Sequence, residues 1–281
     1  MLEFWIANLE TNEARFDVPS SLGDWTFGRA DFYDGQLPKL RQGQVAETYY
    51  ASQPAISLTS RDADFQSACD EVIDICLVLT FLKARCITPT KPTAGSINFI
   101  GSLGDDFIRA RAIAGFDELT PTSLRDFFAS WKTHTYARFQ QRQLRLQLTH
   151  WLSGLTCYSC EDLYLSAGVQ MDLVKQRERV ATSNLGLTFF QGMQSASTRY
   201  GLTQLGQDYK NMRNDIVHEG MLSGRNFVGK TKSDCVAVIA STMNWIDEYI
   251  LAVLDAPCGI IGRPRWKAAD LEQYLPALTV R

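Results

Sequence analysis

Residues 210–220 read Lys210-Asn211-Met212-Arg213-Asn214-Asp215-Ile216-Val217-His218-Glu219-Gly220. This stretch predicts the last turns of a helix, because glycine is the residue that most often ends a helix in a left-handed turn. The helix carries Arg213 and His218, and the chain contains only three histidines. Histidine transfers protons near neutral pH, and arginine holds phosphate and neutralises charge that develops on it. Together they are the minimum set of side chains for cleaving RNA without a metal.

A regular helix would separate these two side chains. Asn214 and His218 are four residues apart and share a face, and Lys210 neighbours both Arg213 and Asn214. Arg213 and His218 are five residues apart, which is about 140° around the helix. They can converge on one phosphate only if the helix end distorts or if two copies of the motif meet. The alternative interpretation is structural: a histidine in the last turn interacts favourably with the helix dipole, and the arginine is solvated.

The string Arg-Asn-x-Ile-Val-His-x-Gly at residues 213–220 resembles the Arg-x4–6-His signature of HEPN ribonucleases, most closely that of their Apea-like branch. The resemblance extends over residues 145–255 and does not explain the N-terminal part. It implies a small α-helical bundle and a two-fold homodimer with both Arg-His pairs in one cleft. It also implies a metal-independent endoribonuclease that needs no cofactor and leaves 2′,3′-cyclic phosphate ends. Such proteins are associated with toxins and with anti-phage defence by abortive infection.

The resemblance implies roles for individual residues. His218 would act as general acid or base, Arg213 would stabilise charge on the phosphate, and Asn214 would orient one of these groups. Glu161, at the start of an earlier helix, would support the site by pairing with Arg213 or His218. The competing explanation for Glu161 is that acidic residues stabilise the positive end of a helix. Lys210 is a second supporting residue.

The expected partners are RNA and a second copy of the chain, with an antitoxin or regulatory protein as a further partner and no membrane. Gly220 stands where HEPN toxins that pair with a nucleotidyltransferase usually carry tyrosine, so regulation by tyrosine modification is not expected. Two alternatives stay open. One is a non-catalytic HEPN-type module that binds RNA or protein, and the other is a helical interaction protein with a chance motif.

Composition narrows the classes of function. The chain has 281 residues and a net charge of −3, which argues against a general nucleic-acid coat protein. One helical stretch is nonetheless basic and is either a solvated face or an RNA-backbone contact; it contains Arg125, Lys132, Arg138, Arg142 and Arg145. We expect a cytoplasmic protein, because no apolar run appears long enough for a membrane span and the N-terminus lacks signal-peptide features.

The cysteines do not form a recognisable metal or redox motif. There are seven, scattered along the chain, which fits a reducing compartment with mostly buried thiols. Cys157 and Cys160 form a lone Cys-x-x-Cys, and no second pair completes a zinc site. We therefore interpret this pair as structural and expect no metal.

The fold predicted from these patterns is mainly α, with a C-terminal helical bundle (HEPN-like) preceded by a small antiparallel β unit. Residues 1–60 are a β-rich unit, with strands at 2–6, 25–28, 49–51 and 55–58. Residues 61–121 are a helix followed by an irregular connector that begins with a proline cluster near residue 89. Residues 122–281 are the bundle with a C-terminal tail, and its helices are predicted at 122–153, from 160, and at 185–200, 202–218 and 232–254.

Overall fold

The computed structural model describes residues 1–56, 63–83, 85–92, 124–155, 157, 159–256 and 265–272. Over these residues the chain is mainly helical, with a small antiparallel sheet in its N-terminal part. The described residues form two compact units, Met1–Ala137 and Arg138–Ala256 with 265–272. The predicted mainly-α fold with an N-terminal antiparallel β unit is confirmed at this level.

The first unit contains a five-stranded antiparallel sheet built from β1 (Leu2–Ala7), β2 (Arg15–Val18), β3 (Trp25–Arg29), β4 (Glu47–Gln53) and β5 (Thr88–Pro92). The strand order is β2-β3-β4-β1-β5, so β1 pairs with both β4 and β5. Leu2, Phe4 and Ile6 of β1 are buried, whereas the residues between them are partly exposed. This alternation is what a sheet needs when one face covers a core.

Three α-helices lie wholly in the described part of the first unit: α1 (Tyr33–Arg41), α2 (Ala63–Lys83) and α3 (Leu124–Phe128). Helix α1 contacts β4, α2 contacts β5, and α3 contacts β2. Helix α1 was not predicted, because it contains Gly35 and Pro38, which are typical of turns.

The strands predicted at 2–6, 25–28 and 49–51 are present. The strand predicted at 55–58 is wrong for Ala55 and Ile56, which lie in the turn after β4, and residues 57–58 lie outside the described residues. Strand β5 forms from the proline cluster that was predicted to break structure. Since β5 is the edge strand, the missing N–H groups of its prolines can be tolerated where a central strand would lose ladder hydrogen bonds.

A buried carboxylate joins separate segments of the first unit. Glu71 of α2 is only 2% exposed. Its Oε2 accepts hydrogen bonds from Ser20 Oγ at 2.6 Å and Trp25 Nε1 at 3.1 Å, and its Oε1 accepts from Trp131 Nε1 at 3.1 Å. Trp131 begins a π-helical turn, Trp131–Thr135, that follows α3. One acceptor side chain therefore satisfies buried donors from three different parts of the chain.

The second unit is a helical bundle. Its helices are α4 (Tyr136–Gln141), which spans the boundary between the units, α5 (Leu144–Leu155), α6 (Cys160–Ala181), α7 (Phe189–Tyr200), α8 (Gln207–Glu219), α9 (Lys232–Val253) and α10 (Ala268–Glu272). Helix α6 contacts α5, α7, α8 and α9 and is the central helix of the bundle. The core between these helices includes Leu148, Leu163, Met171, Met193, Met212, Ile239 and Ile246.

Local capping signals set most helix boundaries in this bundle. Thr188 and Thr231 each form a capping box, which starts α7 and α9. The sequence placed the start of α7 at 185, a few residues before this cap, and the start of α8 at 202, before its observed beginning after Gly206. The single helix predicted over 122–153 is interrupted, because Gln143 adopts a left-handed conformation (φ 54°) between α4 and α5.

Among the described residues, helix α9 is the one segment long and apolar enough to cross a membrane, with a mean hydropathy of 1.3 over its most apolar window. The sequence analysis predicted this helix at 232–254 as part of the bundle and counted no apolar run as long enough for a membrane span. Of that window, 67% is buried inside the structure, which is typical of a core helix.

Replacing Glu71 by leucine is expected to destabilise the first unit by about 3 kcal/mol or more, because each buried donor left without an acceptor costs about 1–3 kcal/mol. Chemical denaturation followed by tryptophan fluorescence measures this directly, since two of the three donors are indoles. Glu71→Gln keeps one acceptor oxygen and should lose less. An unchanged unfolding midpoint for Glu71→Leu would contradict the role given to this carboxylate.

Candidate active site

Helix α8 is unbroken through the motif. It ends at Glu219, and Gly220 follows in a left-handed conformation with φ 69°. The N–H of Gly220 donates to the carbonyl oxygen of Ile216 at 3.1 Å and closes the last turn. The predicted helix end at Gly220 is confirmed. Because the helix is regular between Arg213 and His218, these side chains leave its axis about 140° apart.

Arg213 is held by neighbouring helices. Its Nη2 donates to Asp172 Oδ2 on α6 at 2.8 Å, and its guanidinium carbon lies 5.0 Å from the centre of the Phe189 ring on α7. Asp172 also accepts from Lys175 Nζ at 2.6 Å. The Arg213 side chain is 24% exposed. Its charge is thus partly neutralised within the chain, while part of the side chain still faces solvent.

The other motif side chains are unengaged. His218 is exposed, and Asn214 and Lys210 are half-buried. Within the described residues, none of these three side chains forms a hydrogen bond or an ion pair. Of the residues predicted to form the site, only Arg213 therefore has a fixed partner in a single copy of the chain, and Arg213 and His218 are not brought together.

The predicted pairing of Glu161 with Arg213 or His218 does not form. Glu161 lies in the first turn of α6 and has no hydrogen-bond or ion-pair partner among the described residues. The reason is the way α6 and α8 lie side by side. Tyr164 Oη donates to the carbonyl oxygen of Tyr209 at 2.6 Å, so the beginnings of the two helices lie together. Asp172, eleven residues further along α6, is the acid that reaches Arg213.

Asp215 is a buried residue of the candidate site that the sequence analysis did not identify. It is fully buried, and its carboxylate accepts backbone hydrogen bonds from Gly224 at 2.9 Å, Asn226 at 3.0 Å and Phe227 at 2.7 Å. The Asn226 side-chain amide donates to it as well, at 2.5 Å. Asp215 therefore fixes the loop that follows His218 against α8.

The hydrogen bonds also determine the ionisation of Asp215. Burial raises the pKa of this carboxyl, but the donors from Asn226, Phe227 and Gly224 outweigh burial and hold the pKa below its usual range. Gly224 has no room for a side chain, since a Cβ there would lie 2.9 Å from Asp215 Cγ and 2.6 Å from Glu219 Oε2. The loop can therefore approach the helix closely only because residue 224 is glycine.

The basic run is divided between the two units. Arg125 and Lys132 belong to the first unit, whereas the three arginines that follow belong to the second. Arg142 donates to buried Glu178 at 2.7 Å, and Arg138 pairs with Asp255 at 3.3 Å. The interpretation of the run as an RNA-backbone contact is therefore wrong for Arg142, because its side chain is only 11% exposed and is paired with Glu178 inside the bundle.

Asp215→Asn is expected to lower the free energy of unfolding at pH 7 by about 1–3 kcal/mol, because the new amide nitrogen cannot accept from the loop N–H groups. The folded-state pKa of Asp215 lies below its unfolded value of 3.8, so its ionised form contributes stability above that pH. That contribution is lost as the pH falls below 3.8 towards the folded pKa. The difference between wild type and variant should therefore shrink under acid.

Denaturation curves at several pH values test this expectation. Asp208→Asn is the matched control on the same helix, because Asp208 lies in the first turn and only approaches Lys230 at 3.6 Å. Equal stability of Asp215→Asn and wild type at pH 7 would rule out the anchoring role.

Among the described residues, no three His, Cys, Asp or Glu side chains are placed to hold a metal ion. The chain matches no protein-family model, no curated protein and no solved structure. The structure places the exposed imidazole of His218 in the last turn of α8. Five residues earlier on the same helix, the guanidinium of Arg213 pairs with the carboxylate of Asp172.

Proposed function

We propose that the protein is a metal-independent endoribonuclease of the HEPN type, with the Apea-like branch as the nearest resemblance, and that it acts as a homodimer. The observation that carries the proposal is the placement of Arg213, Asn214 and His218 on one unbroken helix with a free, exposed imidazole. The helical bundle that surrounds the motif is consistent with this interpretation. No cofactor is needed for the chemistry.

The unbroken helix favours a site shared between two copies. One copy cannot direct Arg213 and His218 at the same phosphate, because they diverge by about 140°. A two-fold axis close to α8 brings the same surface of a second copy opposite the first. Arg213 of one copy and His218 of the other can then meet at the same phosphate.

A specific surface is suited to this contact. Arg213 bridges to Asp172, so the exposed faces of α8 and α6 adjoin. Apolar side chains are exposed there: Leu165 at 39% and Val169 at 44% on α6, and Val217 at 48% on α8. We call this surface the α6–α8 face. Exposed apolar groups beside polar motif residues are typical of protein interfaces, because their burial excludes water from the contact.

In the proposed reaction, His218 of one copy removes the proton from a ribose 2′-hydroxyl. The 2′-oxygen attacks the adjacent phosphorus, and the bond from phosphorus to the 5′-oxygen breaks. The leaving 5′-oxygen takes a proton from water, and the protonated His218 returns its proton to the solvent. Arg213 of the other copy stabilises the charge that develops on the phosphate with N–H groups that Asp172 does not use, and Asn214 orients the imidazole or the phosphate. The products carry 2′,3′-cyclic phosphate and 5′-hydroxyl ends, and DNA is inert because it lacks the nucleophile.

The HEPN resemblance also suggests the setting of this activity. We propose a toxin or anti-phage effector that damages RNA in the cytoplasm, controlled by an antitoxin or another regulatory protein. The first unit would be the place where such a partner or trigger acts. This assignment rests on the resemblance and not on contacts seen in the chain.

One observation favours a second candidate, a non-catalytic RNA- or protein-binding module. Arg213 is already paired with Asp172, and a carboxylate beside the phosphate position opposes the binding of a phosphate. In such a module, His218 would be a surface residue at the helix end and its removal would change nothing.

Wild-type protein is expected to cleave RNA in excess EDTA, and His218→Ala should reduce the rate by about 10²–10⁴-fold, the usual contribution of a proton-transferring residue. The measurement is gel analysis of end-labelled RNA, with product ends tested for the cyclic phosphate. His150→Ala is the matched control, because His150 lies on α5 outside the motif. Cleavage that survives in His218→Ala, or that His150→Ala abolishes equally, would refute the assigned role.

Val217→Asp is expected to weaken dimerisation and cleavage together, because it places a charge on the α6–α8 face. Light scattering gives the mass, and dilution series give the activity per chain. Val45→Asp is the matched control, since Val45 and Val217 are both valines that are 48% exposed and Val45 lies in the first unit. A monomeric Val217→Asp protein with full activity would exclude the shared site.

A further inference from the structure

An aromatic cluster lies next to Arg213. Phe189 and Phe190 are the first two residues of α7, and both are half-buried. Tyr209, one turn before Arg213 on α8, contacts both rings, with ring centres 5.8 Å from Phe189 and 5.9 Å from Phe190. The planes of Phe190 and Tyr209 are 26° apart, which is close to stacked. The two phenylalanines therefore form the outer part of an aromatic wall backed by a buried tyrosine.

This wall is held in place by the structure around it. Thr188 Oγ1 accepts from the Gln191 N–H at 3.3 Å, and Gln191 Oε1 accepts from the Thr188 N–H at 3.0 Å. This capping box fixes the first turn of α7, where both phenylalanines lie. A ligand that stacks on these rings would therefore cause only a small loss of side-chain conformational entropy in the protein.

The charges around the wall are mainly positive. The Arg213 guanidinium lies 5.0 Å and the Lys175 ammonium 5.9 Å from the centre of the Phe189 ring. Lys210 follows Tyr209 directly on α8 and is half-buried. Against these three cations stand two carboxylates: that of Asp172, which Lys175 and Arg213 share, and that of Asp208, which precedes Tyr209 and approaches Lys230 at 3.6 Å. The surroundings therefore attract an anion more than they repel one.

We propose that this cluster binds single-stranded RNA, with a nucleobase stacked on Phe190 and the neighbouring phosphate directed to Lys210 and Arg213. The proposal rests on the nuclease function and specifies its substrate. Aromatic side chains combined with cations are the usual means of holding unpaired nucleotides, because every base offers a flat face and every phosphate a charge. In a duplex the bases are stacked on each other, so the same cluster discriminates against paired RNA.

Substitution of Phe190 tests base stacking without disturbing the position of Arg213. Phe189 contacts Arg213, so its removal would also disturb the guanidinium. The ring contact of Phe190 is with Tyr209, and its removal leaves the bridge between Arg213 and Asp172 in place.

The experiment measures binding without cleavage. His218→Ala protein in EDTA is titrated into a fluorescent single-stranded oligoribonucleotide, and separately into the same strand annealed to its complement, with anisotropy as the readout. Single-stranded RNA is expected to bind more tightly than the duplex. Adding Phe190→Ala should weaken single-strand binding by about 5- to 100-fold, the usual effect of removing one base-stacking side chain. Phe190→Tyr should retain the binding, because it keeps the flat ring.

Two further variants keep the result unambiguous. Phe190→Leu keeps apolar volume without the ring, so it should fold and still bind weakly. Phe32→Ala is the matched control, since Phe32 is an exposed phenylalanine of the first unit, at 42%. Unchanged binding by Phe190→Leu and Phe190→Ala, or equal affinity for single strand and duplex, would overturn the proposal. So would a loss in Phe190→Tyr as large as that in Phe190→Ala.

The outcome is separable from that of the nuclease proposal. If wild-type protein cleaves RNA while the Phe190 variants bind normally, the stacking site fails and the nuclease stands. If stacking on Phe190 is found and no cleavage occurs, the site stands and the second candidate, an RNA-binding module, takes the place of the nuclease.

Discussion

The arrangement of the second unit depends on one buried carboxylate of helix α6, that of Glu178. Glu178 is fully buried and accepts hydrogen bonds from Arg142, in the turn just before α5, at 2.7 Å and from Arg199 of α7 at 3.1 Å. Ser195 of α7 donates to it at 2.7 Å. Removing one partner of a buried ion pair costs about 3–5 kcal/mol, because the remaining charge is left without compensation. Helices α5 and α7 therefore cannot shift against α6 without a large loss.

This constraint reaches the motif through α7. Phe189 lies at the beginning of the helix that Glu178 holds, and its ring contacts the Arg213 guanidinium. The bridge between Arg213 and Asp172 is partly exposed on both sides, and such pairs stabilise a fold by only about 0–1 kcal/mol. Arg213 is thus placed by the packing of α6, α7 and α8 more than by its ion pair. The bridge itself is therefore weak, although the Asp172 carboxylate would still repel a phosphate placed beside it.

How much of this the sequence could predict depends on the range of each interaction. The helix end at Gly220 and the strand at residues 2–6 follow from local patterns, and both were predicted correctly. The partner of Arg213 could not be predicted, because Asp172 is 41 residues away and only the alignment of α6 with α8 brings it near. Glu161 was predicted from its position at the start of α6, but the residue of α6 that reaches Arg213 is Asp172, eleven residues later.

The burial of Asp215 was also not predicted, although the sequence contains a pattern that indicates it. It lies on the helix face between Met212 and Ile216, which are both buried. An acidic residue among apolar positions must find donors in the interior, and the glycine and asparagine of the following loop, Gly224 and Asn226, are suitable sources. The helix periodicity alone could have placed Asp215 inside and predicted that the loop folds back on it.

The hydrogen bonds of Asp215 also help to decide how Arg213 and His218 could reach the same phosphate. The two possibilities are distortion of the end of α8 within one copy and association of two copies. Arg213 and His218 could converge within one copy only if the end of α8 unwound. Unwinding that end would pull the loop from Asp215 and leave its buried carboxylate without the donors of Gly224, Asn226 and Phe227. Each lost hydrogen bond to a charged group costs about 1.5–3 kcal/mol, so distortion is expensive, whereas association through the α6–α8 face leaves the helix intact. On the proposed function, the same carboxylate that stabilises the monomer makes activity depend on a second copy, so the rate should follow the concentration of dimer and not of chain.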